Sequence, residues 1–507
     1  MLQKFLLIVA ILFTTACVNA KAIIYPAPEG VRTSPEYELE VDGKDVFCYG
    51  TYRMDHSSNV RITGGPVSPL AFAIFDFTGK VKVRLRVKPG VLSETKMRVR
   101  PLASGIKPVI KGIDLVEFTL DKPGNYTFDP RGDGFCAIHL FTNTPEKDIP
   151  DPKDPKVKYF GPGLHILKKL NLKSNETMYI AGGGVVLCRP EVKKSQYPRY
   201  GIVLDTMERT IDLSDTTGVT IKGRGIISSA GAIQMRRRQA PFKTFGVKNF
   251  VIKDIVVLES ACWNFALFGC KNVLMDNIKI LSFYVNSDGI CPSSGCENIK
   301  VVNCFVNNGD DALEVKAMGT VWGGINDKLR KYLGDCKNIT FENCQVWSNQ
   351  ATPLGITHEI DHNVDNVTFK NITILHHTAP GSRYQTRGQI SIFPAGGGSV
   401  SNITFENITV ESAKSGYQNC IVIDNIHGSG WHEVKKIYQN RPYSKVGPVL
   451  FKNIRMKTQH PTVRLINWGK EGTIKDIVFE NVILNGRNLY KRPFEITSQK
   501  SSFLVKP

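Results

Sequence analysis

A short motif, most often beginning with asparagine, recurs through the second half of this chain. Its copies have the form Asn-x-x-x-x-(Asn/Asp)-x, with apolar residues alternating with polar ones as strands with one buried face require. The shortest intervals between copies are 23, 26 and 28 residues, which excludes heptads and matches one coil of a parallel β-helix. The sequence therefore predicts an all-β solenoid. The copies start at Asn249, Asn272, Asn298, Asn338, Asn366 and Asn402, with later ones at Pro448 and Asp476.

Unequal spacing of the copies indicates inserted loops. The interval between Asn298 and Asn338 is 40 residues, for example. Such insertions on one side of a scaffold commonly build the binding cleft. We therefore expect a cleft on the face that carries the long insertions.

Several of the repeated asparagines stand in Asn-x-Thr triplets, which look like glycosylation sites. Their regular placement favours a structural role, because an asparagine side chain bonds the backbone of a tight turn and tolerates left-handed geometry. The triplets begin at Asn338, Asn366, Asn371, Asn402 and Asn407.

The chain before the repeat has a different pattern. Short strand-like runs broken by Gly and Pro are typical of an antiparallel sandwich. The stretch from Pro145 to Pro155, with alternating Lys and Asp, is interpreted as a linker. We therefore expect a signal peptide over residues 1–20, a β-sandwich domain with its linker over 21–155, and one parallel β-helix over 156–507.

The first residues have the form of an export signal. Lys4 precedes an apolar run from Phe5 to Phe13, and small residues follow up to Ala20. Cys17 leaves open a lipoprotein anchor. The apolar run is too short to span a membrane, and no later stretch approaches about 18 apolar residues. We therefore expect an exported protein, secreted or periplasmic, without a transmembrane segment.

Charge and composition limit the classes of partner that the chain can bind. The formal net charge of +19 favours an acidic partner such as a polyuronate, a sulfated glycan or an anionic surface. Nucleic acid is disfavoured, because the densest basic run, Arg236 to Arg238, has no aromatic platform beside it. No Cys/His spacing resembles a metal site, so neither a metal nor a cofactor is expected.

The chain has 12 cysteines. Cys304 and Cys344 occupy equivalent positions of the repeat, which predicts buried thiols stacked in the core. Cys291 and Cys296 flank a short loop and form the one plausible disulfide.

Two acidic motifs lie one short interval apart: Asn286-Ser287-Asp288-Gly289 and Gly309-Asp310-Asp311-Ala312. The 22 residues from Asp288 to Asp310 amount to about one coil, so three carboxylates would converge on one patch. Like charges at close range raise at least one pKa. A carboxylic acid with a raised pKa beside an ionised carboxylate is the pair of groups that breaks glycosidic bonds.

Residues 216–317 resemble the polygalacturonases of glycoside hydrolase family 28. The resemblance implies a right-handed parallel β-helix that hydrolyses polysaccharide with inversion. It implies that Asp310 is the general acid and that Asp288 and Asp311 hold and deprotonate the water. Lys316 ends the matched run and is a candidate for substrate binding. The matching runs are Thr220 to Ile226, Glu259 to Asn264, Asn286 to Gly289 and Gly309 to Lys316.

Two family signatures are missing. The Gly-His-Gly signature is absent, and the nearest candidate is Gly355-Ile356-Thr357-His358, whose histidine either contacts the acid or sugar or closes a turn. Where the family has Arg-Ile-Lys to grip the galacturonate carboxylate, this chain has Gln389-Ile390-Ser391. Arg383 and Arg387 lie nearby and are candidate substitutes. Homogalacturonan is therefore one candidate substrate among several.

A sandwich followed by a β-helix with three aspartates also resembles the family 49 dextranases, which cut neutral α-glucans. Trp263, Tyr284 and Trp322 are candidates for stacking against sugar. Two further alternatives stay open: a polysaccharide lyase on the same solenoid, and a non-catalytic glycan-binding solenoid. Endo or exo action and the oligomeric state are not determined by the sequence.

Overall fold

The computed structural model describes most of the chain. The described residues are 21–54, 67–134, 136–190, 208–230, 239–283, 286–320, 327–379, 387–414, 419–425, 436, 438–470, 473–492 and 496–507. The expected signal peptide with Cys17, the basic run 236–238, and the candidates Tyr284, Trp322 and Arg383 lie outside these residues. Among the described residues, no helix has the length and apolar character needed to cross a membrane.

The N-terminal region forms two mostly antiparallel sheets. One has the described order β1-β5-β11-β10-β7 with β4 beside β5, and the other β3-β2-β6-β9-β8. The strands are β1 (Lys21–Ile24), β2 (Tyr37–Val41), β3 (Lys44–Val46), β4 (Tyr49–Met54), β5 (Val67–Thr78), β6 (Val81–Val87), β7 (Arg98–Arg100), β8 (Val109–Ile110), β9 (Leu115–Leu120), β10 (Gly124–Asp129) and β11 (Ile138–Asn143), with a 3-10 helix η1 (Leu102–Ser104).

Alternating side chains create the core of this sandwich. In β6, Val81, Val83 and Leu85 are fully buried, whereas the intervening Lys82, Arg84 and Arg86 reach solvent. Such period-two burial is what a sheet with one packed face requires. The β-sandwich expected from the sequence is therefore confirmed.

The strands that follow coil into a parallel β-helix. They are β12 (Val157–Phe160), β13 (Gly163–Leu167), β14 (Leu170–Asn171), β15 (Thr177–Ile180), β16 (Gly184–Cys188), β17 (Glu208–Asp212), β18 (Thr220–Gly223), β19 (Ile226–Ser228), β20 (Gln239–Phe245), β21 (Lys248–Lys253), β22 (Val256–Leu258), β23 (Phe265–Phe268), β24 (Lys271–Asp276), β25 (Lys279–Ser282), β26 (Ile290–Ser294), β27 (Glu297–Val302), β28 (Phe305–Asn308) and β29 (Leu313–Ala317). After the 3-10 helix η2 (Asp327–Tyr332) come β30 (Cys336–Glu342), β31 (Gln345–Ser348), β32 (Leu354–Ile360), β33 (Val364–His377), β34 (Ile390–Ala395), β35 (Val400–Ala413), β36 (Ile421–Asp424), β37 (Val449–Thr458), β38 (Val463–Ile466), β39 (Ile474–Leu484), β40 (Arg487–Asn488), the 3-10 helix η3 (Leu489–Lys491), β41 (Ile496–Gln499) and β42 (Ser501–Lys506).

Two long sheets run along the solenoid. The repeated motif supplies the larger one, in which β27 and β30 pair in parallel with Ile299 opposite Ile339. The other sheet has the described order β14-β17-β20-β23-β26-β29-β32-β34-β36-β38-β41. We call it the site sheet, because it carries the acidic motifs.

Identical positions of the repeat stack inside the coil. The rings of Phe341, Phe369, Phe405, Phe451 and Phe479 follow one another with centroids 4.7–5.2 Å apart. This spacing is close to the separation of neighbouring strands, so each ring covers the next and fixes the register.

The repeated asparagines adopt the predicted left-handed backbone, with φ of +58° at both Asn298 and Asn338. Their side chains bond from coil to coil: Asn338 Nδ2 donates to Asn298 Oδ1 at 3.1 Å, and Asn366 Nδ2 donates to Asn338 Oδ1 at 2.8 Å. These ladder bonds support the structural interpretation of the Asn-x-Thr triplets.

The cysteine predictions have mixed outcomes. Cys304 and Cys344 are buried free thiols, as predicted. The disulfide between Cys291 and Cys296 is wrong, since both are buried free thiols. Cys291 Sγ accepts a hydrogen bond from Ser293, whereas Cys296 Sγ donates to Leu267 O in the preceding coil. The two side chains thus bond to different coils and do not form a disulfide with each other.

The sandwich packs directly on the solenoid. The ring of Phe141 in the sandwich lies 5.2 Å from that of Phe305 in the solenoid. Arg100, fully buried, forms ion pairs with Asp129 of the sandwich at 3.2 Å and with Glu411 of the solenoid at 2.8 Å. Buried ion pairs of this kind fix the docking geometry, since removing one partner leaves an unpaired buried charge.

Candidate active site

The two acidic motifs precede neighbouring strands of the site sheet. Asp288 lies just before β26, and Asp310 and Asp311 lie just before β29. Gly289 N donates to Asp311 O at 2.9 Å, which ties the two coils together at this point. A Cβ on Gly289 would lie 2.3 Å from Ala312 O. Only glycine therefore permits this close approach of the two acidic turns.

Asn308 holds the backbone of both turns. Its Nδ2 lies 3.1 Å from Ser287 O and 2.9 Å and 2.8 Å from the carbonyl oxygens of Asp310 and Asp311. Asp310 lies in a bend before the strand, so the alternation of strand side chains does not force Asp310 and Asp311 to opposite faces. The bend expected from the adjacent aspartates is thus present.

The three aspartates differ in exposure and partners. Asp310 is partly exposed, and its carboxylate accepts from Asn286 N at 2.8 Å and from its neighbour Asp311 N at 3.0 Å. Asp311 is buried and accepts from Thr352 N at 2.7 Å. Asp288 is buried, and its Oδ1 has no hydrogen-bond partner among the described residues.

Lys316 lies at the centre of a buried charge cluster. Its Nζ is 3.1 Å from Glu359 Oε2, 3.6 Å from Glu314 Oε2 and 3.7 Å from Asp288 Oδ2. The ammonium group also lies 4.5 Å from the ring centroid of Trp263. Lys316 and Trp263 are both buried, so they form the floor of the site.

A bulge brings two more polar side chains to the cluster. Between the pairs Val315–Ile356 and Ala317–Ile360, three residues of β32 oppose Lys316 alone. Such bulges re-aim side chains near active sites. His358 adopts φ of +56° within it, and the adjacent Glu359 reaches Lys316.

Arg387 connects His358 to the acids. Its Nη2 donates to His358 Nε2 at 2.5 Å, and its Nη1 lies 3.4 Å from Asp311 Oδ1. The guanidinium also lies 5.2 Å from the ring centroid of Phe393, which contacts the His358 ring at 4.7 Å. Arg387 is therefore fixed inside the site by a carboxylate, an imidazole and a ring.

The environment sets the protonation of the acids. Burial, followed by the charge of Asp311, raises the pKa of Asp310 to about 6. Burial and the charge of Asp310 raise the pKa of Asp288 well above its usual range, and burial and Asp311 do the same to the pKa of Glu314. The site therefore retains protons that a free carboxyl group would lose.

The pKa values of the basic groups Lys316 and His358 are also shifted by this cluster. Burial lowers the pKa of Lys316, but the neighbouring carboxylates, Glu314 foremost, outweigh burial and raise it well above its usual value. Burial, then Arg387, lowers the pKa of His358 well below its usual value. At neutral pH Lys316 is a cation and His358 is neutral.

Carboxylate oxygens of Asp288, Asp311 and Glu314 all lie within 4.8 Å of one another, a spacing that suits a hard cation. Lys316 lies 3.6–3.7 Å from two of these residues and supplies positive charge at this place.

Six of the sequence-predicted site residues come together in this site: Asp288, Asp310, Asp311, Lys316, His358 and Arg387. Trp263 lies beneath Lys316 instead of facing solvent. Arg383 and Tyr284 lie outside the described residues.

Sequence reasoning missed Glu314 and the contact of Glu359 with Lys316. The alternation of β29 could have revealed the first, because residues 314 and 316 share one face of a strand. No sequence signal marks the bulge that carries Glu359.

The residues at the positions of the missing uronate grip are buried. Gln389 is fully buried, with its Nε2 3.1 Å from His377 Nδ1. Ser391 is fully buried and donates to Gly388 O at 3.1 Å. Neither side chain offers a cation to a ligand.

Comparisons with known proteins agree with this fold. The model of the Glycosyl hydrolases family 28 matches residues 163–502. The polygalacturonase of Medicago sativa is 25% identical over 47% of this chain and 54% of its own length. The polygalacturonase of Brassica napus is 28% identical over 41% of this chain and 46% of its own length. The chain thus spans about half the length of the curated relatives it matches.

A solved structure extends the likeness to the whole fold. Dex49A from Penicillium minioluteum superimposes with a TM-score of 0.56 at 12% identity, over 95% of this chain and 96% of that one. The match includes the sandwich as well as the solenoid, so the predicted fold class is confirmed. Because the family model covers well over half of its residues, the chain belongs to the glycosyl hydrolases of family 28.

Proposed function

We propose that this glycoside hydrolase cleaves a polysaccharide with inversion, using Asp310 as the general acid. Asp310 gives its proton to the glycosidic oxygen as the bond to the anomeric carbon breaks. A water held by Asp288 attacks that carbon from the opposite face and gives its proton to Asp311. The observation that carries the proposal is the contrast between the two neighbours: Asp310 is partly exposed with its pKa raised to about 6, and Asp311 is buried against Arg387.

The surrounding cations support this division of roles. Arg387 lies 3.4 Å from Asp311, where it stabilises a negative charge. Lys316 lies 3.7 Å from Asp288 and holds this carboxyl group in place. Paired carboxyl groups in unlike environments are the usual arrangement of an enzyme's acid and base.

The stereochemistry of the product tests the mechanism. Proton NMR spectra recorded in the first minutes of hydrolysis distinguish the anomer formed first from the one that appears by mutarotation. We expect the anomer opposite to that of the substrate. Retention of configuration would overturn the assignment of Asp288 and Asp311 to an activated water.

We further propose that the substrate is not restricted to homogalacturonan. Gln389 and Ser391 are buried and bonded internally where a uronate grip is expected. Arg387, the described cation nearest to them in sequence, is already bound to Asp311 and His358. A neutral α-glucan therefore stands as the second candidate beside an acidic pectic polymer.

A screen of the purified chain against polygalacturonate, dextran and carrageenan, with product detection by chromatography, separates these candidates. We expect hydrolysis products without ultraviolet absorbance. Unsaturated products that absorb ultraviolet light would instead establish a lyase. Absence of turnover with retained binding would establish a glycan-binding solenoid.

Export is part of the proposal, supported by the form of residues 1–20. We expect the mature protein recovered from a secreting host to begin at Lys21. A mature chain that begins with lipid-modified Cys17 would favour the anchored form instead.

A further inference from the structure

We propose that Trp468 is the platform of an additional sugar-binding subsite, which stacks on a pyranose ring of the same glycan chain that enters the active site. The inference rests on the proposed function in that the ligand is a polysaccharide. It adds a site on the C-terminal coils, remote from the acidic motifs.

The indole of Trp468 is exposed but fixed. Its side chain is 42% exposed, although large aromatic residues are usually covered. Its Nε1 donates to Asp424 Oδ1 at 3.0 Å, and its backbone N donates to Asn425 Oδ1 at 2.8 Å. The ring is therefore held in one orientation before any ligand arrives, which lowers the entropy lost on binding.

A buried polar network supports this orientation. Asp424 is 1% exposed, and its second oxygen accepts from Arg464 Nε at 2.9 Å. Asn425 and Asn467, both fully buried, bond to each other at 3.1 Å beneath the Trp468 turn. Burying a carboxylate and two amides costs stability unless all are bonded. In this network the carboxylate and both amides are bonded, so it can hold an exposed indole at its outer end in place for a ligand.

The platform lies on the face that carries the active site. Ile392 of β34 pairs with Ile423 of β36, so the next residues, Phe393 and Asp424, share one face of the site sheet on adjacent coils. Phe393 contacts both His358 and Arg387. Neighbouring strands are roughly 4.8 Å apart, which is about the length of one sugar residue in a chain. A glycan that reaches the acids along this face therefore comes within reach of Trp468.

The surroundings suit a sugar ring. Tyr443, 37% exposed, lies beside the Trp468 turn, since its Cβ is 3.2 Å from the position of a Cβ on Gly469. Arg464 bonds Asp424 through Nε and is partly exposed. Apolar ring faces with polar groups at their edges match the two kinds of surface on a pyranose.

The test compares Trp468→Ala and Trp468→Phe with Tyr490→Ala. Tyr490 in η3 is another exposed aromatic residue, 52% accessible against 42% for Trp468, and serves as the control. Affinity gel electrophoresis measures the binding of each variant to polygalacturonate, dextran and carrageenan. We expect Trp468→Ala to weaken binding of the retarding polymer by roughly five- to tenfold, the worth of one stacked ring.

Trp468→Phe keeps a ring but loses the bond to Asp424, so its binding should lie between the parent and Trp468→Ala. Tyr490→Ala should bind as the parent does, and turnover of the shortest cleaved oligosaccharide should be unchanged in Trp468→Ala. Parent-like polymer binding by Trp468→Ala would overturn the subsite, and so would a parent chain that no polymer retards.

The two proposals fail separately in this experiment. Binding that depends on Trp468 without any polymer cleavage would sustain the subsite and overturn the hydrolase mechanism. Cleavage of a polymer whose binding does not depend on Trp468 would sustain the hydrolase mechanism and overturn the subsite.

Discussion

At the scale of single residues, the site combines unlike carboxyl groups with two buried cations. Arg387 contacts Asp311, and Lys316 contacts Asp288, Glu314 and Glu359. Removal of either cation would leave buried carboxylates uncompensated, a strongly unfavourable state. The cations are therefore structural elements of the site as much as candidates for ligand contact.

The raised pKa of Asp310 predicts the alkaline limb of the activity profile. A general acid must be protonated, so kcat/KM should fall as the pH rises through about 6, the pKa of Asp310. The check is kcat/KM across the acidic to neutral range on the polymer that the chain cleaves. A rate that stays constant from pH 5 to pH 8, in buffers that keep the protein folded, would contradict the role of Asp310.

The raised pKa of Asp310 also predicts how the free energy of unfolding depends on pH. The sign is opposite to that of a carboxyl group whose pKa is lowered on folding, which is the usual case. Because the pKa of Asp310 is raised on folding, the folded state binds more protons, and stability falls as the pH rises from near 4 to about 6. Asp310→Asn should lack this component. The thermal midpoints of parent and variant, followed over this range, should therefore diverge as the pH rises.

At the scale of elements, the register between coils decides where the acids lie. The repeated motif predicted the coils and the two acidic turns from spacing alone, because each coil returns the chain to an equivalent position. The contact of Lys316 with Glu359 could not be predicted, because it depends on a bulge at Thr357–Glu359 that the repeat does not encode. The disulfide prediction failed for a related reason: sequence proximity of Cys291 and Cys296 does not reveal that they contact different coils.

Gly289 offers a test of this register. In Gly289→Ala the new Cβ would lie 2.3 Å from Ala312 O, so the coils must separate beside Asp288 and Asp311. We expect a loss of about 1–3 kcal/mol in the free energy of unfolding, together with a marked fall in turnover. Gly161→Ala is the matched control, since its Cβ would meet its nearest neighbour at 3.9 Å. Equal stability and turnover in the two variants would show that the close approach is unimportant.

At the scale of the whole molecule, the sandwich and solenoid share a buried interface. Arg100 bonds Asp129 on its own side and Glu411 on the other, and Arg224 of the solenoid bonds Asp76 of the sandwich at 2.9 Å. The sequence predicted both architectures and a sandwich docked on the solenoid, but not the residues that make the contact, because these partners are distant in sequence and belong to no motif. The docking holds the sandwich against the coils instead of leaving it on a free linker.

Removal of Arg100 should show what this interface contributes. Arg100→Met leaves Asp129 and Glu411 buried without their shared cation, a change typically worth about 3–5 kcal/mol. Arg84→Met removes a half-exposed cation that pairs with Glu40 and Glu117, and should cost at most about 1 kcal/mol. Urea unfolding of both variants measures the difference. Equal losses would mean that the interdomain ion pairs do not stabilise the fold.

The most direct test of the account is turnover by Asp310→Asn on the polymer that the parent cleaves. The amide keeps the shape of the carboxyl group but cannot deliver a proton, so we expect turnover to fall by about 10²–10⁴-fold, with the native fold and polymer binding retained. Asp121→Asn, on an exposed turn of the sandwich whose carboxylate pairs only with exposed Lys80 among the described residues, is the control and should keep full activity. Parent-like turnover in a folded Asp310→Asn chain would contradict the account.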